Sequence, residues 1–287
     1  MKFLWKKNSS KASSEVPPNS IVSTSYSCKV YTVSETGPTR SSNEDSILHA
    51  YPDGNFQTFF GMVADGMGGH QAGEIASNIA CETAREYIQS HSAEKNITSM
   101  LEGCIHAAQS AIVSAAEQNS MYNGMGTTAT MIFIREGNMY FAHIGDSRLY
   151  HFRDNKLVQY TSDNTLVNEM VKEGKITEAE AVNHDMKHVL TQALGSVKEI
   201  HPELAFTGVV IEPGDIFFLC SDGIYDVLQP PEIELLLKMG SSELAMDCIK
   251  ALCMQRKASD NFSAILVEIT SEQQLRVPIT KELNVMT

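Results

Sequence analysis

The sequence predicts an α+β protein, and three observations carry that reading. Apolar runs rich in β-branched and aromatic residues recur along the 287-residue chain, separated by glycine, proline and asparagine turns. Two longer segments, one after His70 and one over residues 98–118, change to a helical period. Four acids stand at the ends of apolar runs: Asp65, Asp146 and Asp222 follow one, and Asp260 precedes one.

Residues 1–24 are dominated by Ser, Asn and Pro, with Lys2, Lys6, Lys7 and Lys11 ahead of the first acid, Glu15, and they read as a flexible basic tail. Alternation over 28–33 predicts a strand. A polar loop over 36–46 ends in Asn43-Glu44-Asp45 and leads to a short strand at 47–51. The aromatic-rich run 55–64 predicts a strand that delivers Asp65 into a glycine-rich turn, where the absence of Cβ lets a metal or phosphate approach the backbone. In the helix that follows, Ile75, Ile79 and Thr83 share a face with Ala72, Ala76 and Ala80. The next helix carries the stripe Leu101, Ile105, Ala108, Ile112 and Ala115.

Glu136-Gly137-Asn138 predicts a hairpin turn, and its second arm, 140–144, ends in Gly145-Asp146 with a further strand beyond. Residues 162–194 are polar with two short helical pieces, LVNEMVKEG and ITEAEAV, and read as an insertion or lid. Strands over 203–211 and 215–221 are joined by Glu212-Pro213-Gly214. Helices follow over 231–239 and 242–255, the second with Leu244, Cys248, Ala251 and Leu252 as its packed stripe. A last strand spans 262–269, and residues 271–287 read as a C-terminal tail.

Composition narrows the function classes. A hydrophobic share of 43% with 20% charged residues suits a globular protein with a sizeable core, as one large domain or two small ones. A net charge of -13 opposes a nucleic-acid partner, because the phosphate backbone meets a repulsive field. Six cysteines without a CxxC pair read as buried thiols in a reducing compartment. No run approaches the ~20 apolar residues of a membrane span, and MKFLWKK has too short an apolar centre for a signal peptide. The expectation is a cytoplasmic protein with no membrane span.

Acids repeated at strand ends meet at the rim of a sheet stack, and clustered carboxylates repel unless cations neutralise them. Hard oxygen donors select Mg²⁺ or Mn²⁺. The chain has no Walker loop, no complete dinucleotide fingerprint, no GxSxG and no HExxH.

The ordered set RSSNED, VADGMGG, GTTAT, IGDSRLY, LTQALG, LCSDGIYD and SDNFSAILV resembles the metal-dependent serine/threonine protein phosphatases (PPM, the type 2C phosphatases) over residues 27–270. The resemblance implies a four-layer α/β sandwich, two packed antiparallel β-sheets flanked by α-helices, and the strand count agrees. It divides the chain into a tail (1–24), a phosphatase domain (25–270) with a flap near 162–190, and a second tail (271–287). It implies hydrolysis of phosphoserine and phosphothreonine in proteins, counteracting a cognate Ser/Thr kinase system, by a hydroxide bridging two Mn²⁺ or Mg²⁺ ions.

Residue by residue, the resemblance implies that Asp65 bridges the ions. Asp222 and Asp260 complete one ligand set, and Glu44 with the Gly66 carbonyl completes the other. Asp45 and Asn261 hold metal-bound waters, and Arg40 grips the substrate phosphate. Likeness to bacterial-type members implies a third, weaker ion on Asp146 and Asp222.

Two departures stand out. Met67 occupies the place where many eukaryotic members carry a histidine as general acid, which leaves the leaving-group acid unassigned, with a metal-bound water as the preferred donor. Gln192 stands where bacterial relatives often have arginine. His70 is expected to hydrogen-bond within its turn, and His184 and His188 read as solvated loop histidines in a flap that tunes substrate choice and third-ion occupancy. The alternatives are a catalytically silent phosphoprotein-binding regulator of the same fold and a phosphatase dedicated to one signalling partner.

Overall fold

Strand β3 (Phe59–Met67) is apolar on both faces, and that pattern generates the architecture. Phe59 and Val63 enter one core, while Phe60, Met62 and Ala64 enter another. A strand with two apolar faces needs a packed layer on each side. In this computed structural model, which describes residues 26–68 and 72–271, those layers are a second sheet and a helix pair.

One sheet has the order β1 (Tyr26–Glu35), β11 (Phe262–Ser271), β10 (Ile216–Cys220), β7 (Arg148–Arg153), β8 (Lys156–Gln159). The other runs β2 (Asp45–Ala50), β3, β5 (Ala129–Arg135), β6 (Asn138–Ile144), β9 (Glu203–Val210), with β4 (Gly126–Thr127) paired to the end of β3. All pairings are antiparallel. Between the sheets, Val63, Ile132 and Phe141 pack with Phe217, Leu219 and Ile265. Each fully buried Phe in this layer contributes about 1.5–3 kcal/mol of transfer free energy.

Helices α1 (Ala72–Ser90) and α2 (Ile97–Gln118) cover the β3 sheet. Short α5 (Asp222–Tyr225), with α6 (Pro230–Leu237) and α7 (Ser242–Gln255), covers the other. The result is the expected α+β four-layer sandwich. Asn96 caps α2 by accepting from the Ser99 N–H, and Pro230 opens α6, where its missing N–H has no helical partner to lose. Glu136 and Gly137, at φ 52° and 75°, form the two-residue β5–β6 turn, so Asn138 already belongs to β6.

The flap leaves the body after Asp163 and carries α3 (Leu166–Lys172) and α4 (Glu178–Val182). Thr165 bridges Leu190 at its base, and the Leu166 N–H donates to the Val189 carbonyl at 2.8 Å, which pinches the excursion shut.

Three sequence expectations shift. Helix α7 buries Ala245, Met246, Ile249 and Cys253, whereas Leu244 is 46% exposed. Both sets obey the helical period and are of similar size, and packing against β1 and β11 selects the one that is buried. On α1 the buried set runs Ala72, Gly73, Ala76, Ser77, Ala80, Cys81 and Ala84 before it ends in Ile88, with Ile75 and Ile79 at its edge, so small side chains let most of the helix approach β3 closely. Strand β8, not anticipated, is announced by Asp154-Asn155, which adopt φ 52° and 60° in a second hairpin turn. His70 lies outside the described residues, as do the two tails apart from Ser271. All six cysteines are free thiols and all but Cys248 are buried, as expected.

Candidate metal centre

The inward parity of the strands, followed to their ends, places the acids. Phe59 and Val63 face the inter-sheet core, so Asp65, two residues further on, faces it too, at the rim. Asp45 is its register partner across the β2–β3 pair. From the opposite sheet, Phe217 and Leu219 lead by the same parity to Ser221, and Ile265 leads back through Ser263 to Asn261. Asp222 then occupies the first position of α5, and Asp260 precedes β11.

These residues meet around a cavity of about 250 Å³. Glu44, Asp65, Gly66 and Asp146 line it from the β3 sheet, and Asp222 and Asp260 from the other; Arg40 and Met67 complete the wall. Asp45 and Asn261 stand behind it. Asp45 is buried and accepts from the Ser221 hydroxyl at 2.8 Å. Asn261 donates to the Thr36 and Ser42 carbonyls, both at 2.8 Å, and accepts from the Glu44 N–H at 2.9 Å. It therefore holds the backbone of the loop that presents Glu44.

Glycines set the close approaches. A Cβ on Gly66 would meet the carbonyls of Gly73 and Glu44, and one on Gly73 would meet Glu44 Oε2 and the Gly66 carbonyl. The Glu44 carboxylate and the Gly66 carbonyl thus lie side by side against the start of α1. A Cβ on Gly223 would strike the Asn261 carbonyl, which is how α5 brings Asp222 beside Asp260. Asp65 is fixed through its main chain: its N–H donates to Thr128 Oγ1 at 2.9 Å, and its carbonyl accepts from Thr127 Oγ1 at 2.9 Å.

The electrostatics are those of unpaired acids. Burial raises the Asp65 carboxyl well above the usual range, and the charges of Asp45, Asp222, Asp146 and Asp260 raise it further. Burial likewise pushes Asp45 up to about 7 and raises Asp146, Asp260 and Glu44. Arg40 offers Asp260 one contact, Nη2 to Oδ2 at 2.6 Å, and is itself 48% exposed. Asp222 Oδ1 is buried without a hydrogen-bond partner among the described residues. Four convergent carboxylates, a backbone carbonyl cradled by glycines and an orphaned carboxylate oxygen fit hard divalent cations.

His188, expected as a solvated loop histidine, reaches this cavity from the flap. Its Nδ1 is 3.3 Å from Asp222 Oδ2 and its Nε2 is 3.3 Å from Asp226 Oδ2. The flap folds it back onto α5, which nothing in its local sequence announces. Gln192 is spent locally, its Oε1 accepting from the His201 N–H at 3.1 Å. Gly73, Gly223, Thr128 and Ser221 also serve the site and were not singled out from sequence. Their only signal is position next to the acids.

Comparison with known proteins agrees with this geometry. The family model described as Protein phosphatase 2C matches residues 39–245. The protein phosphatase PhpP of Streptococcus pneumoniae is 34% identical over 204 residues, covering 70% of this chain and 80% of that protein. The serine/threonine protein phosphatase PstP of Mycobacterium tuberculosis is 32% identical over 82% of this chain, which spans 44% of that relative. A crystal structure of the catalytic domain of PstP in complex with two manganese ions superposes with a TM-score of 0.75 at 30% identity, covering 86% of this chain and 100% of that one. With the fold, the rim of acids and the family match in agreement, the chain belongs to the protein phosphatase 2C family.

Proposed function

We propose that the protein hydrolyses phosphoserine and phosphothreonine in proteins, using two Mn²⁺ or Mg²⁺ ions. The observation that carries this is the meeting of Glu44, Asp65, Asp222 and Asp260 from both sheets in one cavity with Arg40 on its wall. Asp65 would be shared by the two ions, with Asp222 and Asp260 holding one and Glu44 and the Gly66 carbonyl the other. When bound, the ions supply an acidified water and polarise the phosphoryl group for in-line attack.

The chain's own residues do the rest. Arg40 spends Nη2 on Asp260 and, being half exposed, directs its remaining donors to the substrate phosphate. Asp45, held by the Ser221 hydroxyl behind the cavity, would hold water bound at the site. Asn261 keeps Glu44 in place through the loop backbone. Met67 lines the cavity without a proton to give, so the leaving alkoxide takes its proton from water in the site.

The domain comprises residues 25–270 with the flap near 162–190. Six free cysteines suit a reducing, cytoplasmic setting opposite Ser/Thr kinases, and no helix of the described residues is long and apolar enough to cross a membrane. Retention of all these acids speaks against a silent regulator. Assay of a phosphothreonine peptide with millimolar Mn²⁺ tests the reading: wild type turns over, and no turnover at any divalent cation tried would end it.

A further inference from the structure

We propose that Ser147 is a positioning residue for Asp65: acting through Thr128, it sets where that acid stands at the end of β3. This rests on the phosphatase reading, in which Asp65 would be shared by the two ions, and it names a residue outside the cavity wall on which the sharing depends.

The β3 sheet changes its bonding at Asp65. Val63 pairs with Thr130 and Gly66 with Thr127 in one continuous antiparallel register, which places Asp65 opposite Thr128. The Thr128 N–H donates to the Asp65 carbonyl at 2.9 Å, as in any hydrogen-bonded pair of such a ladder. The returning bond is different. The Asp65 N–H donates to Thr128 Oγ1 at 2.9 Å, where the ladder would use the Thr128 carbonyl. That carbonyl lies 3.0 Å from Thr127 Oγ1, which is also 2.9 Å from the Asp65 carbonyl. A main-chain carbonyl is fixed by its strand, whereas a hydroxyl is held only by its rotamer and its other partners. The seat of Asp65 is thereby handed from the backbone to one side chain.

The other partner of that hydroxyl is Ser147. Thr128 Oγ1 and Ser147 Oγ are 2.8 Å apart, and both residues are buried. Ser147, in the β6–β7 turn, is tied down in turn: its carbonyl accepts from Thr130 Oγ1 at 2.9 Å, and Thr130 Oγ1 lies 2.9 Å from His143 Nδ1. The same turn fixes the methyl side of Thr128, since a Cβ on Gly145, at φ +108°, would stand 2.5 Å from Thr128 Cγ2. Thr128 is therefore wedged, with its methyl against Gly145 and its hydroxyl against Ser147. Rotating it away would leave buried hydroxyls unpaired, which costs their full desolvation. Without Ser147 Oγ that restraint is gone, and the Asp65 N–H competes for a loose acceptor.

The test compares Ser147→Ala, Thr128→Val and Thr128→Ser in the full chain. In the metal-free protein, amide hydrogen exchange followed by nuclear magnetic resonance reads the Asp65 N–H itself. It is expected to exchange about tenfold faster or more in Ser147→Ala and Thr128→Val, with Val63 unchanged and Thr128→Ser like wild type. With saturating Mn²⁺, kcat for a phosphothreonine peptide is expected to fall about 10–100-fold in the first two variants, the scale for losing a group behind a metal ligand. KM is expected to hold, because the substrate's own contacts are untouched, and Thr128→Ser is expected to keep turnover.

Unchanged Asp65 exchange or unchanged turnover in Ser147→Ala overturns the assignment. Loss of protection spread over Val63 and Thr130 as well also overturns it, because Ser147 would then only fill the fold, and so does equal damage in Thr128→Ser and Thr128→Val. If Thr128→Val does not fold, Ser147→Ala against Thr128→Ser decides. Wild type without turnover removes the phosphatase reading, while the exchange of the Asp65 amide still decides whether Ser147 seats that residue.

Discussion

Asp45 and Asp65 are register partners on β2 and β3, so a buried and a half-buried carboxyl group share one face of adjacent strands with no cation of the chain between them. Their protonation sets the pH dependence of the cation-free fold. Asp45 is pushed up to about 7 and Asp65 is raised well above its ordinary value, chiefly by burial. Unfolded carboxyls titrate near 4. Between about 4 and 7 the folded chain therefore binds more protons than the unfolded one, and stability falls as pH rises through that window. Divalent cations replace those protons. Thermal melts with EDTA and with Mn²⁺ are expected to differ more at pH 8 than at pH 5, and a gain that shrinks with rising pH would contradict the burial argument.

Replacing an acid proposed as a central ligand separates function from fold. Asp65→Asn and Asp222→Ala are expected to lower Mn²⁺-dependent phosphopeptide hydrolysis by about three orders of magnitude, some 4 kcal/mol of barrier, with the circular dichroism of wild type. Activity within tenfold of wild type in either variant would displace that residue from the centre.

Arg40 reaches the site from an exposed loop and touches Asp260 alone among the acids. Its replacement by alanine is expected to raise KM for a phosphopeptide about tenfold or more with a smaller change in kcat, because the proposed phosphate grip would be made in ground and transition states alike. A fall confined to kcat would mean that Arg40 acts on the transition state instead.

His143 provides a probe that does not line the cavity. It is fully buried, with Nδ1 2.9 Å from Thr130 Oγ1 and Nε2 without a partner among the described residues, and burial lowers it to about 4. The unfolded imidazole protonates near 6.5, so stability is lost as pH falls from about 6.5 toward 4, by about 3 kcal/mol in all. Urea titrations of wild type and His143→Gln at pH 7 and pH 4.5 are expected to show a smaller pH penalty in the variant.

Much of the architecture was legible because apolar strands buried on two faces leave continuous runs, and acids that interrupt those runs mark the rim. Asp65, Asp146, Asp222 and Asp260 were visible for that reason, and all line the cavity. What stayed hidden depends on chain partners distant in sequence. Gly223 resembles any small residue at a helix start until the Asn261 carbonyl is placed beside it, and His188 is an ordinary loop histidine until the flap folds back onto Asp222. The packed face of α7 was misassigned because its period leaves the rotation about the helix axis open, and only the neighbouring sheet decides it.

Gly223→Ala follows from the same crowding. The new methyl group must push α5 away from Asn261, at a cost of about 1–3 kcal/mol, and it separates Asp222 from Asp260. Chemical denaturation and Mn²⁺ binding are expected to weaken together in this variant; unchanged metal affinity would show that the two acids move as one.

Because Glu44 and Asp65 hang from one sheet and Asp222 and Asp260 from the other, the thickness of the sandwich acts as a gauge for the separation of the acids. Side chains such as Phe217 and Ile132 are then spacers of the chemistry as well as filling of the core. Drift in those buried positions would retune the reaction centre without altering one of its ligands.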